Sequence, residues 1–238
     1  MFVRSFFIQG SWNYRSLLGA GFAFALLPAL RALYRDEPAQ FDRALERHLQ
    51  LFNSHPYLAP MALGAVARLE AEGEDAAVVE RFKAAVRGSL GTLGDRLVWA
   101  GWRPACLLFA MTMILAGGRW WLGIAGFLLL YNAGHLALRV WAYRLGLREG
   151  RHVGERLRRS RIVRAQGGLA AAGAFLLGCV MPLAATGAIV QTRLPLAWAG
   201  LALAAGFLGA SRGLATRTTV ILALAGVALL GLGLGIAS

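Results

Sequence analysis

The chain has 238 residues, of which 58% are hydrophobic and only 16% are charged. Soluble domains usually carry about a quarter of charged residues, so this composition, with a mean hydropathy of +0.56, argues against an ordinary soluble enzyme. The formal net charge of +13 comes from 25 basic and 12 acidic residues, and Lys83 is the single lysine. Such an excess is compatible with nucleic acid, a membrane surface or the cytoplasmic loops of a membrane protein.

The N-terminal segment changes from apolar to polar within nine residues. This is too short for the apolar region of a secretory signal peptide, so we expect that the chain is not exported. Gln9, Ser11, Trp12 and Asn13 set hydrogen-bonding groups beside an indole face, a mixture that suits carbohydrate. The alternative is that Ser11 caps a helix and Trp12 lies at the membrane interface.

An uncharged stretch at 16–30 is a little short of a membrane span, and an amphipathic helix is predicted over 36–53. A second polar cluster follows, in which Asn53, Ser54, His55 and Tyr57 lie close to prolines. Prolines stiffen the backbone, so these groups could line a polar cavity at membrane depth. The alternative is a rigid turn in which Asn53 and Ser54 satisfy local backbone groups.

A polar helix over 68–87, acidic first and basic later, is followed by a third cluster with glycines at 88, 91 and 94. Asp95 enters where the chain becomes apolar, and a carboxylate at that boundary is costly unless it is paired or functional. Arg96 or Arg103 could pair with it structurally, and a substrate role is equally compatible. The glycine spacing fits neither a P-loop nor a dinucleotide fingerprint.

The uncharged stretches at 104–118 and 120–138 are short or marginal for a span, which favours re-entrant hairpins or broken helices. Nine arginines lie from Arg139 to Arg164 against two glutamates, and the positive-inside rule makes this belt cytoplasmic. Aromatic residues do not alternate with it, so no nucleic-acid partner is predicted. Uncharged runs at 165–192, 194–211 and 218–238 predict three membrane helices, with Arg193 and the C-terminus outside.

Cofactor and metal chemistry have no candidate residues. The four histidines lie in four different segments, and Cys106 and Cys179 lie in apolar runs without partners at metal or redox spacing. No serine-hydrolase elbow and no pair of catalytic carboxylates is present. We therefore expect no catalysis and no cofactor in this chain.

At the three polar clusters the sequence resembles the IID membrane component of the mannose/fructose/sorbose sugar phosphotransferase system (PTS). The resemblance is ordered and covers roughly residues 4–150. It is carried by Gln9-Gly10-Ser11-Trp12-Asn13-Tyr14, Arg47-His48-Leu49 with Phe52-Asn53-Ser54-His55-Pro56-Tyr57, Gly91-Thr92-Leu93-Gly94-Asp95 with Arg103-Pro104, and Leu129-Leu130-Tyr131-Asn132 with Arg139.

The resemblance implies a multi-pass protein of the bacterial inner membrane that binds a mannose-type hexose together with a IIC subunit and moves it inward. IIC–IID heterodimers of this family assemble as trimers, and the soluble IIA and IIB components pass a phosphoryl group to the sugar. The IID chain itself carries no phosphoryl group. The residues expected to line the sugar path are Gln9, Trp12, Asn13, Asn53, His55 and Asp95.

The expected fold is an all-α integral membrane protein in two regions. Residues 1–150 form the sugar-translocation region with re-entrant segments and polar helices, and residues 151–238 form a basic linker followed by membrane helices. The sequence departs from the family at Arg96, at Gly88-Ser89, at Gln166 and in a shorter tail. These departures leave open a degenerate IID homologue with an assembly or regulatory role. A membrane scaffold without a ligand is a third hypothesis.

Overall fold

The computed structural model of the chain describes residues 1–188, and all regular structure within them is helical. A short 3-10 helix (Val3–Phe7) precedes the α-helices, and another (Gly150–His152) separates α6 from α7. A π-helical segment (Asp95–Trp102) joins α4 to α5 without a break. The α-helices are α1 (Gly19–Leu33), α2 (Pro38–Leu49), α3 (Ala59–Ala71), α4 (Ala76–Gly94), α5 (Arg103–Leu115), α6 (Trp120–Glu149), α7 (Val153–Arg158) and α8 (Arg161–Ala188).

The helix starts follow local sequence signals. Proline occupies the first turn of α2, α3 and α5, where its missing N–H would have no helical partner. Asp75 caps α4, since its side chain accepts a hydrogen bond from the backbone N–H of Ala77 at 2.8 Å. The single polar helix predicted over 68–87 is therefore wrong. Gly73, with a φ of 70°, turns the chain between α3 and α4.

Three helices are long and apolar enough to cross a membrane: Ala76–Leu115, Trp120–Arg158 and Arg161–Met181. The predicted all-α membrane protein is confirmed by these helices. The first two are longer than the uncharged runs at 104–118 and 120–138, because the helices continue into charged sequence on either side. The third falls on the predicted span at 165–192, whereas the spans predicted at 194–211 and 218–238 lie outside the described residues.

The chain divides into two compact units. The first comprises Met1–Arg96 and Asn132–Val163, and the second comprises Leu97–Tyr131 and the residues from Arg164 on. The first unit has a core of fully buried side chains. In this core the ring centroids of Phe22 and Phe52 lie 4.4 Å apart. Leu26 and Leu30 of α1 and Met61 and Leu63 of α3 contribute to the same core.

Two glycines allow α3 and α6 to approach closely within the first unit. A Cβ atom on Gly64 would lie 2.6 Å from the backbone oxygen of Tyr143, and one on Gly146 would collide with the backbone oxygen of Met61. Small residues at a helix crossing permit this backbone contact. The crossing fixes the first turns of α3, which follow directly on the polar cluster at residues 53–57.

In the second unit, α5 and the start of α6 form an apolar hairpin. The turn includes Gly117, with a φ of 91°, and Gly123 lies against Ile114 and the backbone oxygen of Ala110. No charged residue lies between Arg103 and Arg119 or between Arg119 and Arg139. The hairpin is therefore apolar apart from Arg119 near its turn. Its two helices belong to helices long enough to cross a membrane, and its re-entrant character stays a prediction.

Candidate functional site

A cavity of about 330 Å³ lies beside the C-terminal half of α4. We call it the α4 cavity. Its volume is at the lower end of the range for small-molecule sites, which suits a ligand as small as a monosaccharide. It is lined by Leu17, Leu51, Asn53, Arg87, Gly88, Gly91, Thr92 and Asp95.

One face of α4 forms a wall of the cavity. Arg87, Gly91 and Asp95 follow one another at intervals of four residues, which places them in one row along the helix. Gly91 has no side chain there, and a Cβ atom on it would first meet the Cα atom of Ser54 at 4.0 Å. The glycines predicted to allow close packing or a break thus lie within a continuous helix, and two of them, Gly88 and Gly91, leave the space that is the cavity.

The turn that leads to Leu17, another lining residue of the cavity, is held by Asn13. Its side-chain oxygen accepts hydrogen bonds from the backbone N–H groups of Arg15 and Ser16 at 3.0 and 2.9 Å, and its amide nitrogen donates to the Ser16 hydroxyl at 2.9 Å. This turn brings Leu17 to a φ of 52° and pairs it with Phe52. Asn13 therefore holds the loop that carries Leu17, and it does not itself line the cavity.

Asn53 and Asp95 are the two predicted site residues that line the α4 cavity. Both side chains are exposed. In the described part of their unit, neither forms a hydrogen bond or an ion pair, so Asp95 is not paired with the neighbouring Arg96. Arg103 lies over the ring of Trp99, with its guanidinium carbon 5.4 Å from the ring centre. The carboxylate and the amide are thus available to a ligand with hydroxyl groups.

His55 lies behind the cavity wall and is 2% exposed. Its ring lies so close to Gly94 that a Cβ atom there would collide with it. Burial, with the nearby Arg139 guanidinium, lowers the pKa of His55 to about 4, so the ring is neutral at pH 7. The backbone N–H of Tyr57 donates to Nδ1 of His55 at 3.2 Å, which assigns the ring proton to Nε2.

Gln9 and Trp12 lie on the exposed N-terminal turn. The Trp12 side chain is 49% exposed, and its ring contacts that of Tyr14 with 4.8 Å between centroids. Neither residue lines the α4 cavity. The six predicted residues are therefore distributed over three places: the cavity, the wall behind it and the N-terminal turn.

Arg87 and Thr92 line the cavity but were not predicted from the sequence. The available signal was the helical period, because Arg87 lies two turns before Asp95 on the same face. Arg87 is half-buried and has no carboxylate within 4.0 Å in the described residues. The cavity thus offers a guanidinium, a carboxylate, an amide and a hydroxyl, with leucine side chains beside them.

A buried ionic cluster, also not predicted, lies elsewhere in the first unit around Glu70. The Glu70 carboxylate accepts from Tyr34 Oη at 2.6 Å, Arg47 Nη2 at 2.8 Å and His48 Nε2 at 2.7 Å. Burial raises the pKa of Glu70, but these three donors outweigh burial and bring it to about 2. Burial lowers the pKa of His48 to about 4. A neutral His48 thus donates to a charged Glu70.

The Glu70 cluster connects α1, α2 and α3. Burial and the hydrogen bond to Glu70 raise the pKa of Tyr34 to about 12, so its phenol remains a donor. Lys83 of α4 donates to the backbone oxygen of Arg47 at 2.9 Å, at the C-terminal end of α2. The carboxylate is occupied by its neighbours, and this makes the cluster a structural one. No group of three potential metal ligands occurs among the described residues.

Comparison with known proteins identifies relatives of the same kind. The sequence profile described as "PTS system mannose/fructose/sorbose family IID component" matches residues 1–205. The fructose permease IID component of Bacillus subtilis (strain 168) is 30% identical over 189 residues, which are 76% of this chain and 66% of that protein. The mannose-specific EIID component of Escherichia coli (strain K12) is 29% identical over 187 residues, which are 76% and 65%.

Solved structures share the fold. A chain in the cryo-EM structure of the mannose transporter ManYZ with microcin E492 matches at a TM-score of 0.59 and 23% identity, over 98% of this chain and 94% of that one. A membrane protein structure matches at a TM-score of 0.67 and 25% identity with the same coverage. The sequence alignments with the fructose and mannose IID components, in contrast, cover 66% and 65% of those proteins, which is just under two thirds of their length. The profile match over most of the chain shows that it belongs to the mannose/fructose/sorbose family of PTS IID components.

Proposed function

We propose that this chain is the IID subunit of a sugar permease in the bacterial inner membrane, and that it binds a mannose-type hexose in the α4 cavity. A IIC subunit completes the sugar path, and the IIC–IID heterodimers assemble as trimers. The IIB component, charged by IIA, phosphorylates the sugar on the cytoplasmic side. In this scheme the IID chain binds and moves sugar without catalysing phosphoryl transfer.

The observation that carries this proposal is one small cavity lined by polar side chains that have no partner within residues 1–188. A carboxylate such as Asp95 can accept hydrogen bonds from two neighbouring hydroxyl groups, and the Asn53 amide can donate and accept at once. Arg87 supplies charge-assisted donors. Leu17 and Leu51 offer apolar surface to the C–H face of a sugar ring. Polar groups beside apolar helices are typical of transporter sites.

The decisive experiment is phosphoenolpyruvate-dependent sugar uptake in membrane vesicles that contain the chain with its IIC, IIA and IIB partners. We expect uptake with the parent chain and at most about a hundredth of it with Asp95→Asn or Asn53→Ala, since each change removes hydrogen bonds to bound sugar. Asp42→Asn and Gln50→Ala alter exposed residues outside the cavity and serve as matched controls. Parent-level uptake by the two cavity variants would contradict the site.

A degenerate IID homologue with an assembly or regulatory role is the second candidate. It is favoured by Arg96, an exposed cation directly after Asp95, which can compete for the carboxylate. If the parent chain co-purifies with IIC but supports no uptake, this candidate replaces the transporter, and Arg96→Ala should then restore part of the uptake. If the chain binds neither IIC nor sugar, both are wrong and the scaffold hypothesis remains.

A further inference from the structure

An arginine-rich segment at the end of the second candidate membrane helix and the start of the third is held by contacts within the first unit. It runs from the last turns of α6 through α7 to the start of α8. Val153 and Leu157 of α7 are 1% and 6% exposed and belong to the core. Arg68 of α3 donates a hydrogen bond to the backbone oxygen of Arg148. The segment therefore presents its arginines from a fixed backbone.

The side chains of these arginines are exposed. Those of Arg151, Arg156 and Arg159 retain 60%, 65% and 75% of their accessible surface. We call the set the arginine surface; all of its members belong to the first unit. It consists of Arg144, Arg148, Arg151, Arg156, Arg158, Arg159 and Arg161.

The local carboxylates do not neutralise the arginine surface. Arg151, Arg156 and Arg159 have partners in Glu74, Glu149 and Glu155, at 3.5, 3.7 and 2.8 Å, and such exposed pairs contribute little. The remaining four members have no carboxylate within 4.0 Å in the described residues: Arg144, Arg148, Arg158 and Arg161. The surface therefore has a net positive charge that calls for an anionic partner.

The position of the surface specifies that partner. The uncharged part of α6, 120–138, is about 29 Å long at 1.5 Å per residue, which equals the thickness of the hydrocarbon core. When 120–138 crosses the hydrocarbon core, the arginines that follow it fall at the level of the lipid headgroups. Arg158 and Arg161 precede the uncharged run of α8, which begins at residue 165, so they lie next to the start of the third candidate membrane helix in the chain.

We propose that the arginine surface binds the phosphodiester groups of anionic membrane lipids. Guanidinium groups form bidentate hydrogen bonds with phosphate oxygens, which an ammonium group does not, and every cation of the surface is an arginine. A lipid partner is favoured over an acidic protein because the surface adjoins the ends of two membrane helices. Each basic side chain at a bilayer surface adds to the attraction of anionic lipid.

The test uses the 238-residue chain purified in a neutral detergent. Because a micelle has no two sides, the orientation of the chain across a bilayer does not affect the result. Native mass spectrometry measures retention of phosphatidylglycerol, of phosphatidylcholine with the same acyl chains, and of inorganic phosphate. The test variant is Arg144→Gln/Arg148→Gln/Arg158→Gln/Arg161→Gln. The matched control is Arg31→Gln/Arg35→Gln/Arg43→Gln/Arg81→Gln, which removes the same charge from exposed positions of the same unit.

We expect the parent chain and the control variant to retain phosphatidylglycerol at least about tenfold better than phosphatidylcholine, and the test variant to lose that preference. A lysine version of the test variant keeps the charge and should retain only part of the preference. Equal retention of both lipids by the parent chain would overturn the proposal. So would an equal loss in the control variant, or displacement of the lipid by equimolar inorganic phosphate.

Discussion

Glu70 shows how much a single buried carboxylate contributes to the first unit. Its side chain is 1% exposed, and its donors come from residues 22, 23 and 36 positions away. Glu70→Gln removes the charge and leaves Arg47 without its partner, so we expect a loss of about 3–5 kcal/mol in the free energy of unfolding. Tyr34→Phe removes one hydrogen bond and should cost about 1 kcal/mol.

Thermal unfolding in detergent measures both effects. The control is Glu72→Gln, because Glu72 pairs with Arg68 at a position where both side chains are at least 40% exposed. An exposed pair contributes less than about 1 kcal/mol. If Glu72→Gln and Glu70→Gln lowered the melting temperature equally, the central role of the Glu70 cluster would be wrong.

Also at the residue scale, Gly91 and Gly94 are neighbours on α4 with different surroundings. Gly91 faces the α4 cavity, whereas Gly94 lies against the His55 ring. We expect Gly91→Leu to fold normally but to abolish sugar uptake by filling the cavity. Gly94→Ala should lower stability by about 1–3 kcal/mol through overpacking. Vesicle uptake and thermal unfolding separate these outcomes, and a destabilised Gly91→Leu would show that the cavity is not open.

The elements of the chain differ in how far their sequence could predict them. The amphipathic helix expected over 36–53 is α2, because its apolar positions repeat at helical spacing. Asn53 and Asp95, which line the α4 cavity, could be singled out from the sequence, since each is polar at the edge of an apolar run. Arg87 was not, because its relevance depends on where α4 faces. The donors of Glu70 were not predictable because they lie on other helices.

The crossing of α3 and α6 gives a prediction at the element scale. Gly146→Leu would force the helices apart, because even a Cβ atom at that position collides with the Met61 backbone. We expect a loss of at least about 3 kcal/mol or failure to fold. Gly154→Leu is the control, since a Cβ atom on Gly154 meets nothing within 4 Å. Similar melting temperatures for the two variants would contradict the close crossing.

At the scale of the whole molecule, buried ionisable groups set the response to acid. His48 and His55 have pKa values near 4, below their ordinary value of 6.5, and Glu70 has a pKa near 2, below 4.5. In each case the unfolded chain binds the proton more readily than the folded chain. The contribution of these three groups to the free energy of unfolding is therefore complete above pH 6.5. As the pH drops below 6.5, the contribution of the two histidines is lost first, and below 4.5 that of Glu70 is lost as well.

The melting temperature measured from pH 7.5 to 3 tests this dependence. For His55 alone, a pKa lowered from 6.5 to about 4 corresponds to a loss on the order of 3 kcal/mol between those pH values. Gln has no proton to gain, so His55→Gln should make the melting temperature less dependent on pH between 6.5 and 4 while leaving the further decline below 4.5. An unchanged pH profile in this variant would mean that His55 is solvated and charged in the folded protein. The assignment of a neutral His55 ring behind the α4 cavity would then be wrong.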